Sequence, residues 1–269
     1  MIPFTKAHAC GNDFLIVTED AARGCDWAEL TRRLCARNTG IGADGIEFFA
    51  WAGPRSGRLR LHNADGSIAE ISGNGTRCVA AWMAEEIDAQ PGDVLEITTD
   101  AGPRLCRVVA RHGHEVEVTA GMGVPVFSPR TVTLANGTQI AGVEVSTGNP
   151  HFVILVDNAE FSVAGKSWQT IGAEICVHAD FPHQTNVEFF HIVSTTEIEI
   201  RIFERGVGPT TSSGTGSSAS ATAALALNGC HSPLTVVAPG GAQTVAWGGP
   251  GTELRLTGPA ALIARGEAW

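Results

Sequence analysis

The chain has 269 residues, enough for two domains of roughly 100 to 150 residues each. Glycine contributes 32 residues and charged residues only 17%, a composition that favours a compact globule with many tight turns over disorder. The formal net charge is −10, and the only lysines are residues 6 and 166. These values argue against nucleic acid or an anionic membrane as a partner, because both require clustered Lys and Arg.

The beginning of the chain and its cysteines predict a cytoplasmic protein. Residues 1–6 lack the basic segment and apolar run of a signal peptide, and no stretch reaches the roughly 20 apolar residues that span a bilayer. The seven cysteines show no C-x-x-C spacing, which fits free thiols better than disulfides or a zinc site. His112 and His114 have no third ligand spaced to join them, so no metal site is predicted.

In the first half, the pattern predicts short strands and two helices. A helix over residues 26–37 is indicated by Asp26 as a cap and by apolar residues at helical spacing. A second helix begins after Ser72, where an alanine-rich segment follows two glycines. Strands are predicted over residues 4–8, 14–17, 46–50, 58–62, 94–98, 105–109 and 115–119.

The second half repeats this plan. Residues 120–130 hold two glycines, two prolines and no clear period, so we place a domain boundary there. Helices are predicted over residues 166–175 and after Ser213, and the Asn136-Gly137 pair indicates a hairpin. Strands are predicted over residues 152–156, 186–193 and 197–203, and on both sides of 239–241. Sheets with few helices indicate the α+β class.

One short pattern occurs twice, as Ser-Gly-Asn-Gly-Thr at residues 72–76 and as Ser-Gly-Thr-Gly-Ser at residues 213–217. Both lead into an alanine-rich helix. The unpaired N–H groups and the positive dipole end of such a helix bind anions, with up to about 2 kcal/mol of stabilisation. One copy alone is more often a simple N-cap. Two copies in matching places predict a small carboxylate held between two helix mouths, with a serine on either side.

Several motifs resemble those of the diaminopimelate epimerase family. The sequence His-Ala-Cys-Gly-Asn-Asp-Phe at residues 8–14 is similar to the family's opening motif, and Gly-Asn-Pro-His at 148–151 is similar to a later one. The similarity runs nearly end to end, and this number of motifs in one order is highly specific. The other motifs lie at residues 40–45, 63–67, 73–78, 185–188, 204–206 and 256–260.

The resemblance implies an α+β fold of two similar domains, each a mostly antiparallel sheet around a central helix, with the active site in the cleft between them. It assigns residues 1–119 and the C-terminal strand 260–269 to the first domain, and residues 120–259 to the second. It also implies that there is no cofactor and no metal, and that the protein is a homodimer. The implied activity is an isomerase reaction of lysine and peptidoglycan biosynthesis, the interconversion of LL- and meso-2,6-diaminopimelate.

The resemblance also implies roles for individual residues. In the family, one cysteine removes the α-proton of the substrate as a thiolate, and a second delivers a proton to the opposite face. The α-carboxylate binds at the two helix mouths, and polar groups grip the far end of the substrate. Carried over by motif, the helix-mouth residues are Gly73, Asn74, Gly214 and Thr215, the gripping residues are Asn12, Asn63, Asn149, Asn186 and Arg205, and His151 and Glu204 lie near the acid–base pair.

The chain departs from the family at the two catalytic positions, where Ser72 and Ser213 stand in place of cysteines. A cysteine thiol ionises near pH ~8.5, and lower at a helix N-terminus. A serine hydroxyl has a far higher pKa, so the change keeps size and hydrogen bonding but removes most of the basicity. Cys10 and Cys78 are poor substitutes, because Cys78 lies along the helix and Cys10 has no symmetric partner. Substrate recognition should survive, while proton abstraction should be impaired.

Three interpretations fit this sequence. The first is a diaminopimelate epimerase in which serine has replaced both cysteines. The second is a natural relative that uses a serine pair for another isomerisation, or for a dehydration, at an amino-acid α-carbon. The third is a non-catalytic protein of the same fold that binds an amino acid.

Overall fold

Most strands of the chain alternate buried and exposed residues, as a sheet with one face in a core requires. The computed structural model describes all 269 residues. The elements up to residue 121 are the strands β1 (Ile2–Ala9), β2 (Asn12–Thr18), β3 (Gly45–Gly53), β4 (Ser56–Asn63), β5 (Ile68–Ala69), β6 (Val94–Thr99), β7 (Gly102–His112) and β8 (Glu115–Gly121), and the helices α1 (Trp27–Cys35) and α2 (Gly73–Glu86).

The remainder contains nine strands and two helices. They are β9 (Val126–Thr133), β10 (Gln139–Ser146), β11 (Pro150–Val156), β12 (Asn186–Ser194), β13 (Glu197–Glu204), β14 (Gly208–Thr210), β15 (Leu234–Ala238), β16 (Gly241–Ala246) and β17 (Arg255–Ala268), with α3 (Trp168–Cys176) and α4 (Gly214–Leu227). The chain divides into unit 1, Met1–Gly121 with Thr257–Trp269, and unit 2, Met122–Leu256. None of the helices is long and apolar enough to cross a membrane.

In unit 1, the first two strands form a tight hairpin in which Ala9 pairs with Asn12 across Cys10 and Gly11. Both turn residues have positive φ, as a two-residue hairpin turn requires. Strand β2 pairs in parallel with β3, β3 antiparallel with β4, and β4 in parallel with β6, and the antiparallel pairs β6–β7 and β7–β8 follow. The last strand, β17, returns to pair antiparallel with β1.

Unit 2 has the same order of pairings. Strand β10 is antiparallel to β9 and β11, β11 is parallel to β12, β12 is antiparallel to β13, β13 is parallel to β15, and β15 is antiparallel to β16. Parallel neighbours need a long crossover, which α1 provides between β2 and β3, and α3 between β11 and β12.

The crossover helices each cover one face of their sheet. In unit 1, Leu30 and Leu34 of α1 belong to a buried cluster with Ile46 and Phe48 of β3. In unit 2, the apolar face of α3 joins a similar cluster with β11 and β12, which includes Ile171, Ile175, Phe152 and Phe189. This packing leaves the opposite face of each sheet to a second helix.

The second helices, α2 and α4, are buried almost all round. Residues 73–84 of α2 and 214–224 of α4 are all buried. Helix α2 packs against β1, β2, β6, β7 and β8, while α4 packs against β10, β11, β12, β13, β15 and β16. Small side chains let a helix be enclosed in this way, which explains the alanine-rich sequences.

The structure confirms most predicted elements and corrects some bounds. Helix α1 ends at Cys35 rather than at residue 37, because the N–H of Ile41 turns back to the carbonyl of Leu34. Strand β9 begins at Val126, inside the segment that we expected to be irregular, since it pairs with β10 along eight residues. The C-terminal strand begins at Arg255, earlier than residue 260.

Candidate active site

The two serines of the repeated motif cap the buried helices. Ser72 has an extended backbone, and its side-chain oxygen accepts a hydrogen bond from the N–H of Gly75 at 3.0 Å. Ser213 does the same in unit 2, accepting from Gly216 at 3.2 Å. Each cap satisfies one N–H of the first turn. Both sites therefore have the geometry of an anion-binding helix N-terminus.

In unit 1, a hydrogen-bonded chain holds the predicted binding residues Asn12 and Asn74 together. The amide nitrogen of Asn74 donates to Asn12 Oδ1 at 3.2 Å, and Asn12 donates in turn to Asp44 Oδ2 at 2.6 Å. On the other side, the guanidinium of Arg77 donates to Asn74 Oδ1 at 2.7 Å. Arg77 is fully buried, and this burial lowers its pKa. Asn12 is thus fixed against the first turn of α2.

Asp44 belongs to a group of ion-paired residues that also contains Lys6, Asp13 and Arg37. Arg37 bridges Asp13 at 2.9 Å and Asp44 at 2.6 Å, and Lys6 adds a second cation 3.0 Å from Asp13. Burial acts to raise the pKa of Asp13, but the hydrogen bonds from Arg37 and Lys6 outweigh it and keep that pKa below its usual value. Asp13 therefore stays ionised near neutral pH and holds Arg37 beside Asp44.

Unit 2 has a longer chain of polar contacts that reaches its capping serine. Glu188 Oε1 lies 2.8 Å from His151 Nδ1, and His151 Nε2 lies 2.9 Å from Asn149 Oδ1. Asn149 then donates to the Thr215 hydroxyl at 3.4 Å, which is 3.4 Å from the Ser213 hydroxyl. The side chains of Glu188 and His151 are fully buried. The contact with Glu188 fixes the orientation of the His151 imidazole.

The remaining residues of unit 2 gather around Asn186 at the start of β12. Asn186 Oδ1 accepts from the backbone N–H of Arg205 at 2.9 Å, and its amide nitrogen donates to the carbonyl of Pro150 at 3.0 Å. Arg205 Nη1 donates to the carbonyl of His183 at 3.2 Å. Glu204 is the last residue of β13, next to Arg205. These contacts hold a half-buried guanidinium beside a fixed amide.

In each unit, only some of the predicted site residues are hydrogen-bonded to one another. Asn12 is hydrogen-bonded to Asn74, and His151 through Asn149 to Thr215. Asn63 instead donates to Ser67 Oγ at 3.1 Å within its own turn. Of the two cysteines considered as bases, Cys78 is fully buried and its pKa is raised by burial, which keeps it in the thiol form.

Two buried glutamates were missed in the sequence. Glu47 in β3 and Glu188 in β12 are both fully buried. They lie 141 residues apart (188 − 47), and the capping serines have the same spacing (213 − 72). The segments Ile-Glu-Phe-Phe at 46–49 and Val-Glu-Phe-Phe at 187–190 repeat the same pattern. This shared spacing is the signal that would have identified both carboxyl groups.

Residues 4–128 and 143–263 match the model of a family described as diaminopimelate epimerase. The chain belongs to the diaminopimelate epimerase family. Similar relatives are the diaminopimelate epimerases of Teredinibacter turnerae, 33% identical over 98% of each chain, and of Corynebacterium glutamicum strain R, 36% identical over 99% of this chain and 98% of the relative. The predicted membership is confirmed, and with it the class of enzyme, an isomerase of the epimerase type.

Solved structures share the fold of this diaminopimelate epimerase family member. A phenazine biosynthesis protein of the PhzF family from Bacillus anthracis superposes with a TM-score of 0.72 at 17% identity, covering 100% of this chain and 99% of that one. A hydroxyproline epimerase from Agrobacterium vitis gives a TM-score of 0.72 at 17% identity, covering 98% and 90%. At these identities the likeness concerns the fold alone, and it confirms an α+β protein of this type.

Proposed function

We propose that this chain acts on 2,6-diaminopimelate and interconverts its LL and meso forms without a cofactor, at a rate reduced by its serines. In this proposal Ser72 serves one face of the α-carbon and Ser213 the other. The observation that carries it is that each unit has a helix N-terminus capped by a serine. A side chain of the first turn is hydrogen-bonded there to an asparagine of the family motifs, Asn12 in unit 1 and Asn149 in unit 2. The family's location and assembly, a homodimer in the cytoplasm, complete the proposal.

The α-carboxylate of the substrate would bind at the N-termini of α2 and α4. The first N–H groups of the helices there belong to Gly73 and Asn74 in unit 1, and to Gly214 and Thr215 in unit 2. Because a helix N-terminus favours negative charge, each of the two sites should bind a carboxylate more tightly than a neutral amide. The side chains of Asn74 and Thr215 are fixed by Asn12 and Asn149, so little side-chain freedom is lost on binding.

The far amino-acid end would be recognised by Asn63, Asn186 and Arg205. Arg205 supplies the positive charge that a second carboxylate requires, and a guanidinium can pair with it in bidentate fashion. Asn186 holds the backbone of Arg205. Lysine has the same α-carbon but no second carboxylate, so it should bind more weakly.

The serines are expected to slow the chemistry rather than the binding. Their hydroxyl groups are far weaker acids than thiols, so proton removal from the α-carbon depends on neighbouring groups that accept the hydroxyl proton. In unit 2, the contacts from Ser213 through Thr215 and Asn149 lead to His151. His151 is thus the group in that unit best placed to orient the reacting serine, and Glu204 lies near the recognition residues.

Deuterium uptake at the α-carbon, measured by mass spectrometry after incubation with diaminopimelate in heavy water, tests this function. We expect slow uptake in the unaltered chain and none in a Ser72→Ala/Ser213→Ala control. The Ser72→Cys/Ser213→Cys variant should gain about 10²-fold or more, the scale of general acid–base catalysis, and either single change much less.

Calorimetry with diaminopimelate and lysine completes the test. Tighter binding of diaminopimelate is expected in all of these variants, because the recognition residues are unchanged. Equal or absent binding of the two ligands would contradict the proposed substrate. A folded double-cysteine variant without exchange would contradict the mechanism. Binding without any uptake in the unaltered chain would favour the third interpretation, a non-catalytic protein that binds an amino acid. The weak basicity of serine is the observation in favour of that interpretation.

A further inference from the structure

The turn between β4 and β5 begins with Asn63, which the proposed function assigns to the far end of the substrate. Its backbone forms two hydrogen bonds within the turn. The N–H of Gly66 donates to the carbonyl of Asn63 at 2.7 Å, and the N–H of Asn63 donates to the carbonyl of Ser67 at 2.8 Å. Gly66 has a φ of +85°, which a glycine adopts without strain. The turn therefore has a defined backbone on which a side chain can be oriented.

Two neighbouring segments of unit 1 hold this turn in place. The N–H of Ala64 donates to the carbonyl of Asp44 at 2.9 Å, and Arg32 Nη1 of α1 donates to the carbonyl of Asp65 at 3.3 Å. Asp44 is also the residue whose carboxylate accepts from the side chain of Asn12. The turn and Asn12 are thus positioned against the same aspartate.

The side chains of the turn form a relay of hydrogen bonds that ends on a carboxylate. The amide nitrogen of Asn63 lies 3.1 Å from Ser67 Oγ, and Ser67 Oγ lies 2.6 Å from Asp65 Oδ1. The backbone N–H of Ser67 donates to the same Asp65 oxygen at 2.8 Å. These two hydrogen bonds from Ser67 lower the pKa of Asp65, so the carboxyl group is ionised at neutral pH.

The relay has only one possible direction. An ionised carboxylate has no proton to donate, so Asp65 accepts the single hydroxyl proton of Ser67. Toward Asn63, the Ser67 oxygen then offers only lone pairs. The carboxamide of Asn63 must therefore turn its NH₂ group to Ser67, which places Oδ1 on the opposite side of the amide. Asp65 thus determines, through Ser67, which end of the Asn63 amide faces away from the turn.

We propose that Ser67 and Asp65 are positioning residues that hold the Asn63 carboxamide with its oxygen outward and so select an ammonium group at the far end of the substrate. The inference rests on the proposed function. A carbonyl oxygen accepts hydrogen bonds from an ammonium group and cannot donate one to a carboxylate. The amide orientation therefore assigns the far amino group to Asn63 and leaves the far carboxylate to Arg205.

The charges around the turn favour the same ligand group. Residues 63–67 contain no lysine or arginine, and the Asp65 carboxylate adds a negative charge. Arg32, the cation that contacts the turn, is ion-paired with Glu29 at 3.0 Å. A positively charged ligand group is thus attracted to this turn, whereas a carboxylate would be repelled.

Calorimetry with diaminopimelate and 2-aminopimelate tests the selection, because 2-aminopimelate keeps both carboxylates and lacks the far amino group. The measured quantity is the ratio of the two dissociation constants, which should favour diaminopimelate in the unaltered chain. Ser67→Ala and Asp65→Ala should each lower this preference about 5-fold, the scale of one hydrogen bond that is partly exposed to water. Ser67→Thr keeps the hydroxyl and should keep the preference. The control Asp20→Asn, at an exposed aspartate of the same unit, should leave it unchanged.

The same measurement in an Asn63→Ala background shows whether Ser67 acts through Asn63. Asn63→Ala should lower the preference at least as far as Ser67→Ala, and adding Ser67→Ala should then lower it no further. An unchanged preference in Ser67→Ala would overturn the proposal. A loss of affinity that is equal for the two ligands would overturn it as well, since the turn would then support binding without selecting the amino group.

Neutron diffraction from crystals of the unaltered chain in heavy water gives a readout that needs no substrate. The deuteron of the Ser67 hydroxyl should point to Asp65 Oδ1, and the two amide deuterons of Asn63 should lie on the side of Ser67. The reverse amide orientation would overturn the proposal. If the chain binds diaminopimelate no better than lysine, the proposed function fails at its substrate, while the deuteron positions still decide whether Ser67 and Asp65 orient the amide.

Discussion

At the level of single residues, the chain buries two ionisable groups in unit 1 in different ways. Arg77 donates to the carbonyl of Gly73 and to the side chain of Asn74, so it contributes to the site while it is buried. Glu47 has no such partner. A buried polar group without a hydrogen bond destabilises the folded state by about 1–3 kcal/mol. A chain that keeps such a group sacrifices stability at this position, as residues in functional sites often do.

Replacing Glu47 should therefore stabilise the protein, and more so at high pH. The folded state holds the proton up to about pH 8, whereas the unfolded chain releases it near pH 4.5. Unfolding thus releases a proton between these values, and the free energy of unfolding falls across that window by up to roughly 5 kcal/mol, at 1.36 kcal/mol per pKa unit. Glu47→Met, which leaves no partner unsatisfied, should remove this loss.

Chemical denaturation at pH 5 and pH 9 measures the effect. The gain in the free energy of unfolding from Glu47→Met should be larger at pH 9, while Glu96→Gln should show the same pH dependence as the unaltered chain. A gain that is equal at the two pH values would contradict a raised pKa for Glu47.

The residues of the site differ in how far the sequence could predict them. Ser72 and Ser213 were predictable as caps, because capping depends on the residues of one turn. The contact between Asn12 and Asn74 joins positions 62 residues apart, and nothing in the local sequence around either residue indicates it. Glu47 was missed, because a single glutamate in a strand ordinarily points to solvent and nothing local shows that α2 covers that face.

At the level of elements, α2 and α4 show how closely a helix can be enclosed. Helix α4 buries hydroxyl groups along its length by turning them back on its own backbone. Ser218 donates to the carbonyl of Gly214 and Thr222 to that of Ser218, both at 2.8 Å. Glycine at the third position after each cap lets a strand carboxyl group approach the first turn. Helix and strand therefore meet without room for one methyl group.

Gly75→Ala should be destabilising for this reason. The new methyl group would displace the carboxyl group of Glu47, and overpacking of this kind costs about 1–3 kcal/mol. Gly216→Ala, where the added Cβ would lie 2.8 Å from Glu188 Oε1, is the matched change in unit 2. We expect the larger fall in melting temperature for Gly75→Ala.

A double variant identifies the cause. Glu47→Ala combined with Gly75→Ala should recover part of the loss, because the smaller side chain leaves space for the methyl group. Effects that simply add would show that Glu47 is not what the methyl group meets.

The strands and helices themselves were largely predictable, because their signals are local. The residual differences have tertiary causes. Strand β9 was missed between residues 126 and 130, since its exposed and proline-containing sequence is held extended by pairing with β10. The short strands β5 and β14 have too few residues for any period, and they exist through pairing with β4 and β13.

At the level of the whole molecule, unit 1 is built from both ends of the chain. Strand β17 supplies residues 261–268 as the antiparallel neighbour of β1, from Ile2 opposite Ala268 to His8 opposite Ala261, with a register shift between Lys6 and Ala7. It also pairs with β8, and Thr119 and Thr257 share a hydrogen bond at 2.7 Å. The last segment is therefore required to complete the sheet of unit 1.

Removing residues 257–269 should destabilise unit 1 selectively. Strand β1 would lose its backbone hydrogen bonds to β17, and unit 1 should unfold at a lower temperature than unit 2, which keeps all its strands. Calorimetry would then resolve two transitions, and hydrogen exchange would become faster in residues 1–121. Removal of Trp269 alone, which is 89% exposed, is the control and should have little effect. A single unshifted transition in the longer deletion would contradict this role of β17.

The pairing of Ile2 with Ala268 also means that the polypeptide is nearly a closed ring. A short linker could join the two ends, and the chain could be opened elsewhere, for example at the exposed hairpin turn Asn136-Gly137. Unit 1 would then be encoded by one uninterrupted stretch, and unit 2 would become the divided one. Which of the two units is continuous in sequence therefore depends on where the chain termini are placed.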